Sequence, residues 1–411
     1  MSYFERLGGH GGNLKSMKRL HRKNYLAYAI ILTGLMMVTT GCWDMIEPNQ
    51  RSVWVGTGLD LSPEGNLLLS AQIAVPKAAG EAGGGGGGGT DDTYFVKTAI
   101  GKNLEDSFQR IQAKLSRKVF LGHRDVIFIG EQLGKQGFKK FLDEFGRNPI
   151  SNIRANLFFI KYRSAQNFLM EKAELEQFSS VEAIRQVHFN GIRDRMTTMV
   201  YFKEVMQRDG MRPILQVIGP KDGAGQNKKM ETKGSLSATR EIALFNKSLQ
   251  VVGFLQEEEA VSVLWASGYL DTQMITEYLS KANGLATVDL HHIKRQIDST
   301  INGKKIHIKL VLMGKGMLDE NDTNLDLFNN RDIRALEKEF NEKVSQRVVN
   351  VIKMVQKDFG TDVFGFGEAL HRKYPDQWKH MKEDWDKLFP EVEVTVTSQL
   401  AIRHIGERGP K

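Results

Sequence analysis

The sequence predicts an α+β fold: two to three modules of mixed or antiparallel sheet with helices packed on one face, behind a lipoprotein signal peptide. Three observations predict the fold. Over residues 52–218 the segments run βββ-α-β-α-β-α, without regular βαβ repetition. The last strand, over 391–404, alternates. Val392, Val394, Val396, Leu400 and Ile402 point one way, and Glu393, Thr395, Thr397, Gln399 and Arg403 the other, as in a sheet covered on one side. A helix over 332–359 carries the stripe Ile333, Leu336, Phe340, Val344, Val348, Ile352, Val355 and Phe359. Its steps are mostly four, which suits packing on a sheet better than a heptad coil.

The elements follow in order. Residues 52–59 and 66–75 read as strands joined by the turn Ser62-Pro63-Glu64-Gly65. Seven glycines, Gly83 to Gly89, sit in a loop expected to be disordered over 78–92. A phosphate-binding role for the glycines is disfavoured, because Asp91 and Asp92 follow where a helix with Lys-Ser/Thr is needed. After a strand over 93–98, Asn103 caps a helix with Leu104, Phe108, Ile111 and Leu115 on one side. The apolar runs 126–129 and 155–160 read as strands buried on both faces. A helix over 134–145 lies between them, and helical segments over 164–173, 181–189 and 197–208 precede a strand at 213–218.

Residues 219–235 are rich in Gly, Lys, Asn and Gln and predict a linker between an N-terminal region (52–218) and a C-terminal domain (236–405). The second domain is expected to open on a hairpin, 242–245 and 249–255. Glu257-Glu258-Glu259 then suits a helix N-terminus. Strands over 287–297 and 305–313 precede the long helix.

The leader explains the charge. Of the formal +8, residues 1–41 carry a net +5, and the rest of the chain only +3. No nucleic-acid partner is therefore expected. Met17 to Lys23 is a basic n-region, Tyr25 to Val38 an apolar h-region, and Thr39-Thr40-Gly41 precede Cys42, the one cysteine of the chain. The pattern predicts cleavage before Cys42, a diacylglyceryl anchor on its thiol and a tether over 42–51. The two acyl chains make that anchoring durable. Residues 1–16 add nothing to a signal, whereas a chain started at Met17 has a compact leader, so translation is expected to begin at Met17 rather than Met1.

Candidate chemistry is sparse. His291 and His292 are neighbours that a strand turns to opposite faces. Glu368-x-x-His371 is half of a di-iron helix pattern whose other parts are not visible. No nucleophile elbow, zinc-protease motif or phosphate loop appears. No enzyme, metal site or cofactor is expected.

The most distinctive run is Phe364-Gly365-Phe366-Gly367-Glu368-Ala369-Leu370-His371-Arg372-Lys373-Tyr374-Pro375, followed by Trp378 and Asp384-Trp385. It resembles the C-terminal signature of the Ger(x)C family, the lipoprotein C subunits of bacterial spore germinant receptors. Cys42-Trp43-Asp44-x-x-Glu47-x-Asn49 resembles that family's lipidated start. Ser116-Arg117-x-x-Phe120-Leu121-Gly122-His123, with Val126-Ile127-x-Ile129-Gly130-Glu131, resembles its N-terminal region. The resemblance implies a soluble body on the outer side of the spore inner membrane, beside A- and B-type integral-membrane subunits. It implies a part in triggering germination, as scaffold or signal relay, and leaves nutrient binding by this subunit open. Gly365 and Gly367 are expected to turn the chain sharply after the long helix. The aromatics, Tyr374 and Trp378 among them, are expected as core anchors or, alternatively, as an interaction surface. The rival functions are a solute-binding lipoprotein of a permease and a membrane-held cell-wall hydrolase.

Overall fold

Alternating burial along two adjacent apolar runs builds the centre of the larger sheet. In β5 (Val126–Gly130) and β6 (Asn156–Ile160), Val126, Phe128, Phe158 and Ile160 enter one core, while Ile127, Ile129, Leu157 and Phe159 enter another. The structure is a computed structural model that describes residues 50–75, 93–147, 151–220 and 236–405, with Thr33 apart. The leader, Cys42, Trp43, Asp44 and the glycine tract lie outside the described residues. Residues 52–411 cluster as one unit.

Among the described residues the larger sheet has nine strands, ordered β3-β2-β1-β5-β6-β7-β8-β9, with β4 on β1. These are β1 (Arg51–Leu61), β2 (Leu67–Ala74), β3 (Tyr94–Gly101), β4 (Lys118–Phe120), β7 (Ile214–Pro220), β8 (Leu236–Phe245) and β9 (Val251–Gln256), beside β5 and β6. β1, β5, β6 and β7 run parallel, and both flanks are antiparallel.

The parallel pairs require crossovers. On one face lie α1 (Leu104–Gln112), α2 (Glu131–Gln136) and α3 (Lys139–Arg147), which bury Leu104, Ile111, Leu133, Phe141 and Leu142. On the other lie α4 (Ala165–Met170) and α5 (Ser179–Phe189), with Phe168, Leu169, Ala183 and Val187. Asn103 accepts the Asp106 N–H at 2.8 Å and starts α1. The buried Asp60 carboxylate accepts the N–H groups of Ala165 and Gln166, each at 2.9 Å, and so fixes the start of α4. Burial pushes its pKa up, and the two donors oppose that.

The segment 219–235, expected as a linker between domains, lies between two strands of the larger sheet, and residues 221–235 lie outside the described residues. β7 and β8, on its two sides, pair antiparallel from Ile214↔Leu244 to Pro220↔Leu236. The hairpin expected to open a second domain therefore completes the first sheet. Polar, glycine-rich composition marks a departure from regular structure but does not say whether the flanking strands find each other. The expected helix over 134–145 is two helices, broken at Gly137 (φ 95°).

The smaller sheet is ordered β10-β11-β12-β13: Gln273–Leu279, Gly284–Asn302, Lys305–Asn321 and Glu393–His404. β13 lies parallel to β12. Two short helices, α6 (Asp194–Thr197) and α7 (Met199–Met206), precede β7, and α8 (Glu257–Ala266) leads into this sheet. α9 (Asn330–Met354) covers its inner face with Leu336, Phe340, Val344, Val348 and Ile352. A π-type turn, Val355–Phe359, and left-handed Gly360 end it. His291 and His292 sit at a bulge in β11, and His292 is left-handed (φ 53°), so the expected strict alternation fails there. Among the described residues no helix is long and apolar enough to cross a membrane.

Candidate functional site

The signature folds around a residue that precedes it. Asp362 is fully buried. Its Oδ1 accepts the N–H groups of Phe364, Gly365 and Phe366 at 3.0, 2.8 and 3.2 Å. Its Oδ2 accepts Gly367 N–H at 2.8 Å and Trp385 Nε1–H at 3.0 Å. Five donors fill the acceptor capacity of a carboxylate. Burial still pushes the pKa of Asp362 up to about 6. A saturated, enclosed carboxylate organises a turn and offers no lone pair to a substrate.

The two glycines have distinct reasons. Gly365 takes φ 77°, where an L side chain is strained. A Cβ on Gly367 would come within 2.6 Å of Gly210 Cα and 2.7 Å of both the Trp378 and Trp385 rings. After the turn come α10 (Phe366–Lys373), α11 (Pro375–Met381) and α12 (Trp385–Leu388). Phe364 and Phe366 stack at 5.1 Å, and Trp378 meets Trp385 edge-on at 5.3 Å. All four are buried, so these aromatics form core here.

This segment joins the two sheets. Toward the larger one, Thr361 Oγ1 donates to Phe245 O at 2.9 Å. Arg212 N–H donates to Asp362 O at 2.7 Å. Glu368 Oε1 accepts Gly210 N–H at 3.0 Å, and the Arg212 guanidinium reaches Asp386 at 2.7 Å. Toward the smaller sheet, the Arg295 guanidinium donates to Phe364 O and Ala266 O. Burial lowers the pKa of Arg295 to about 10. Lys373 Nζ and Tyr374 Oη donate to Ser299 O at 2.7 and 3.4 Å.

Of the expected site residues, the structure gathers Gly365, Gly367, Glu368, His371, Tyr374 and Trp378 here. His371 stacks on Trp378 with ring centroids 5.9 Å apart, and its Nδ1 is 3.9 Å from Glu368. His123 lies elsewhere, exposed in the β4–β5 turn with its ring edge against Phe120 at 5.5 Å. Sequence reasoning misses Asp362, Arg212 and Arg295. For Asp362 the available signal is an acid placed just before a Gly-x-Gly turn, since Asp bonds backbone N–H groups a few residues on. No three His, Cys, Asp or Glu side chains converge on a possible metal position among the described residues.

Comparison with known proteins follows this geometry. Residues 44–219 match the spore germination protein N-terminal domain. Residues 240–406 match the family described as spore germination B3/GerAC-like, C-terminal. Spore germination protein KC of Bacillus subtilis (strain 168) is 25% identical over 402 residues, covering 94% of this chain and 97% of that one. Spore germination protein YndF of the same organism is 24% identical, with 93% and 98% covered. The crystal structure of the GerBC protein shares the fold with a TM-score of 0.54 at 19% identity, covering 84% of this chain and 96% of that one. Matches on both halves of the chain, in order and at nearly full length, lead to one conclusion: the chain belongs to the Ger(x)C family of spore germination proteins.

Proposed function

We propose that the protein is the lipid-anchored C subunit of a nutrient germinant receptor, a scaffold or signal relay rather than a catalyst. In this reading residues 1–41 are removed, Cys42 carries the diacylglyceryl anchor, and residues 42–51 tether the body to the outer face of the spore inner membrane. Its partners are the A- and B-type membrane subunits. The observation that carries the reading is the buried joint around Asp362. The family's most distinctive residues are spent on holding two sheets together, not on lining an open catalytic cleft.

The test is a tagged full-length chain recovered from detergent-solubilised spore membranes. Co-purification of two membrane subunits, and slow germination of spores lacking the chain, are expected. Cys42→Ala should move the chain out of the membrane fraction. Tight stoichiometric binding of an amino acid or sugar by the body alone would replace this reading with that of a permease's solute-binding protein.

A further inference from the structure

A buried polar atom without a partner is costly, and one on a residue that borders a cavity marks where a ligand atom is wanted. Gln216 of β7 is such a residue. It is 6% exposed, and among the described residues its Oε1 has no hydrogen-bond partner. Its Nε2 donates to Thr239 O and to Glu241 O, the latter at 2.9 Å. Two carbonyls on the nitrogen fix which way the amide lies, so the oxygen cannot change places with it to find a donor.

Gln216 lines a cleft of about 210 Å³, walled by the β7–β8 pair, by α8 and by the start of β10. A bulge opens it. Gln216 pairs with Ile242 and Ile218 with Ala238, so Thr239, Arg240 and Glu241 stand opposite Val217 alone. Bulges re-aim side chains in this way. Glu241 goes inward to the buried Lys161, whereas Arg240 is exposed and lines the cleft. Among the described residues no carboxylate pairs with Arg240. Ile192, Leu264 and Leu270, all buried, and half-buried Val261 make an apolar wall. Asp289 of β11 lines the cleft too, but its carboxylate already meets His291 Nε2 at 3.1 Å.

These groups prescribe the chemistry of an occupant. An apolar cavity of about 150 Å³ holds benzene, so this one takes a molecule of roughly six to nine non-hydrogen atoms. Arg240 calls for an anion, and its planar guanidinium matches a carboxylate. With Asp289 also on the wall, one cation suits a single negative charge better than the double charge of a phosphate monoester. Gln216 Oε1 calls for a donor. An ammonium brings three N–H donors and a positive charge, and the buried acceptor that awaits it is a neutral amide. Burying that charge there is unfavourable. A hydroxyl brings one donor and no charge.

We propose that this cleft is a binding site for a small hydroxycarboxylate with an aliphatic side chain. The carboxylate pairs with Arg240, the hydroxyl donates to Gln216 Oε1, and the side chain packs on Ile192, Leu264 and Leu270. The site goes beyond the receptor reading and does not depend on it.

The test is calorimetric titration of the full-length chain in detergent with α-hydroxyisocaproate, the hydroxy analogue of leucine. One saturable site is expected. Isocaproate, which lacks the hydroxyl, should bind about ten-fold more weakly, the scale of one lost hydrogen bond, and leucine more weakly than the hydroxy acid as well. Arg240→Gln removes a charge from an exposed position and should weaken binding by about ten-fold or more, with the melting temperature of the unliganded protein unchanged. Val261→Trp fills the cleft and should abolish binding. No binding, equal affinity for isocaproate, leucine bound as tightly as the hydroxy acid, or binding indifferent to both variants overturns the proposal. Co-purification of the membrane subunits is read separately. Its loss ends the receptor reading, and a failed titration alone ends only this site.

Discussion

The Trp385 indole donates to the same Asp362 oxygen that receives the Gly367 N–H, so a residue of the last short helix completes the turn that begins the signature. The ring does two jobs. Its edge satisfies a buried charge, and its face packs against Trp378 and Phe389.

Trp385→Phe keeps most of the packing and removes the donor. It is expected to destabilise the body by about 1–3 kcal/mol, the cost of an unmet bond to a buried charged group. Trp385→Ala adds a cavity and should cost about 3–5 kcal/mol. Urea denaturation followed by tryptophan emission and by far-UV circular dichroism separates the two variants.

Asp362 gives a pH dependence of unusual sign. Its ordinary carboxylate value is 3.8, and burial raises it in the folded protein to about 6. Between these values the folded state holds the proton and the unfolded chain has lost it. The contribution is therefore fully stabilising below about pH 4 and is lost as the pH rises through 6. The full span is about 3 kcal/mol. Asp362→Asn should remove this downward slope between pH 4 and 6. It should also lower stability throughout, because an amide NH₂ faces donors that need an acceptor. Urea midpoints at half-unit pH intervals read both effects.

Gly367→Ala is expected to be more damaging than Gly365→Ala. At Gly365 the cost is backbone strain, about 1–2 kcal/mol. At Gly367 the added methyl must displace Gly210 and both tryptophan rings, which is overpacking of a filled core. Thermal melts of the two variants should rank them in that order.

The bonds from α9 to the β13 backbone make a fourth prediction. Asn341→Leu leaves both backbone groups of Leu400 without their partner. A loss of about 1–3 kcal/mol is expected. Hydrogen exchange at Leu400 should accelerate while that at Thr397, whose N–H points the other way, to β12, follows global unfolding.

Much of the architecture is legible in the chain because it is written in periodicity. The buried runs at 126–129 and 155–160 are strands with two buried faces, and Leu336, Phe340, Val344, Val348 and Ile352 form the inner side of α9. Pairing is less legible, because β8 and β9 look the same whether they start a new sheet or finish an old one. β10 escapes notice because its pattern is inverted, with Glu277 inside against Arg347 and Met274 and Tyr278 outside. In the candidate site the glycines and aromatics announce themselves by type. Asp362 does not, since an acid reads as solvated surface until the backbone donors around it are placed. Cys42 and the leader are legible as motif alone.

The hairpin of β7 and β8 also bears on how this chain reaches its native state during synthesis. When the ribosome has released residues only as far as β7, the growing sheet still has an open side, and the Arg212 N–H still lacks the Asp362 carbonyl it meets in the finished protein. Two family matches divide the sequence, yet the larger sheet of the first is finished by β8 and β9, which lie beyond it. Severing the chain between them should yield fragments that stick to one another or to themselves, and a working protein only where both are made together.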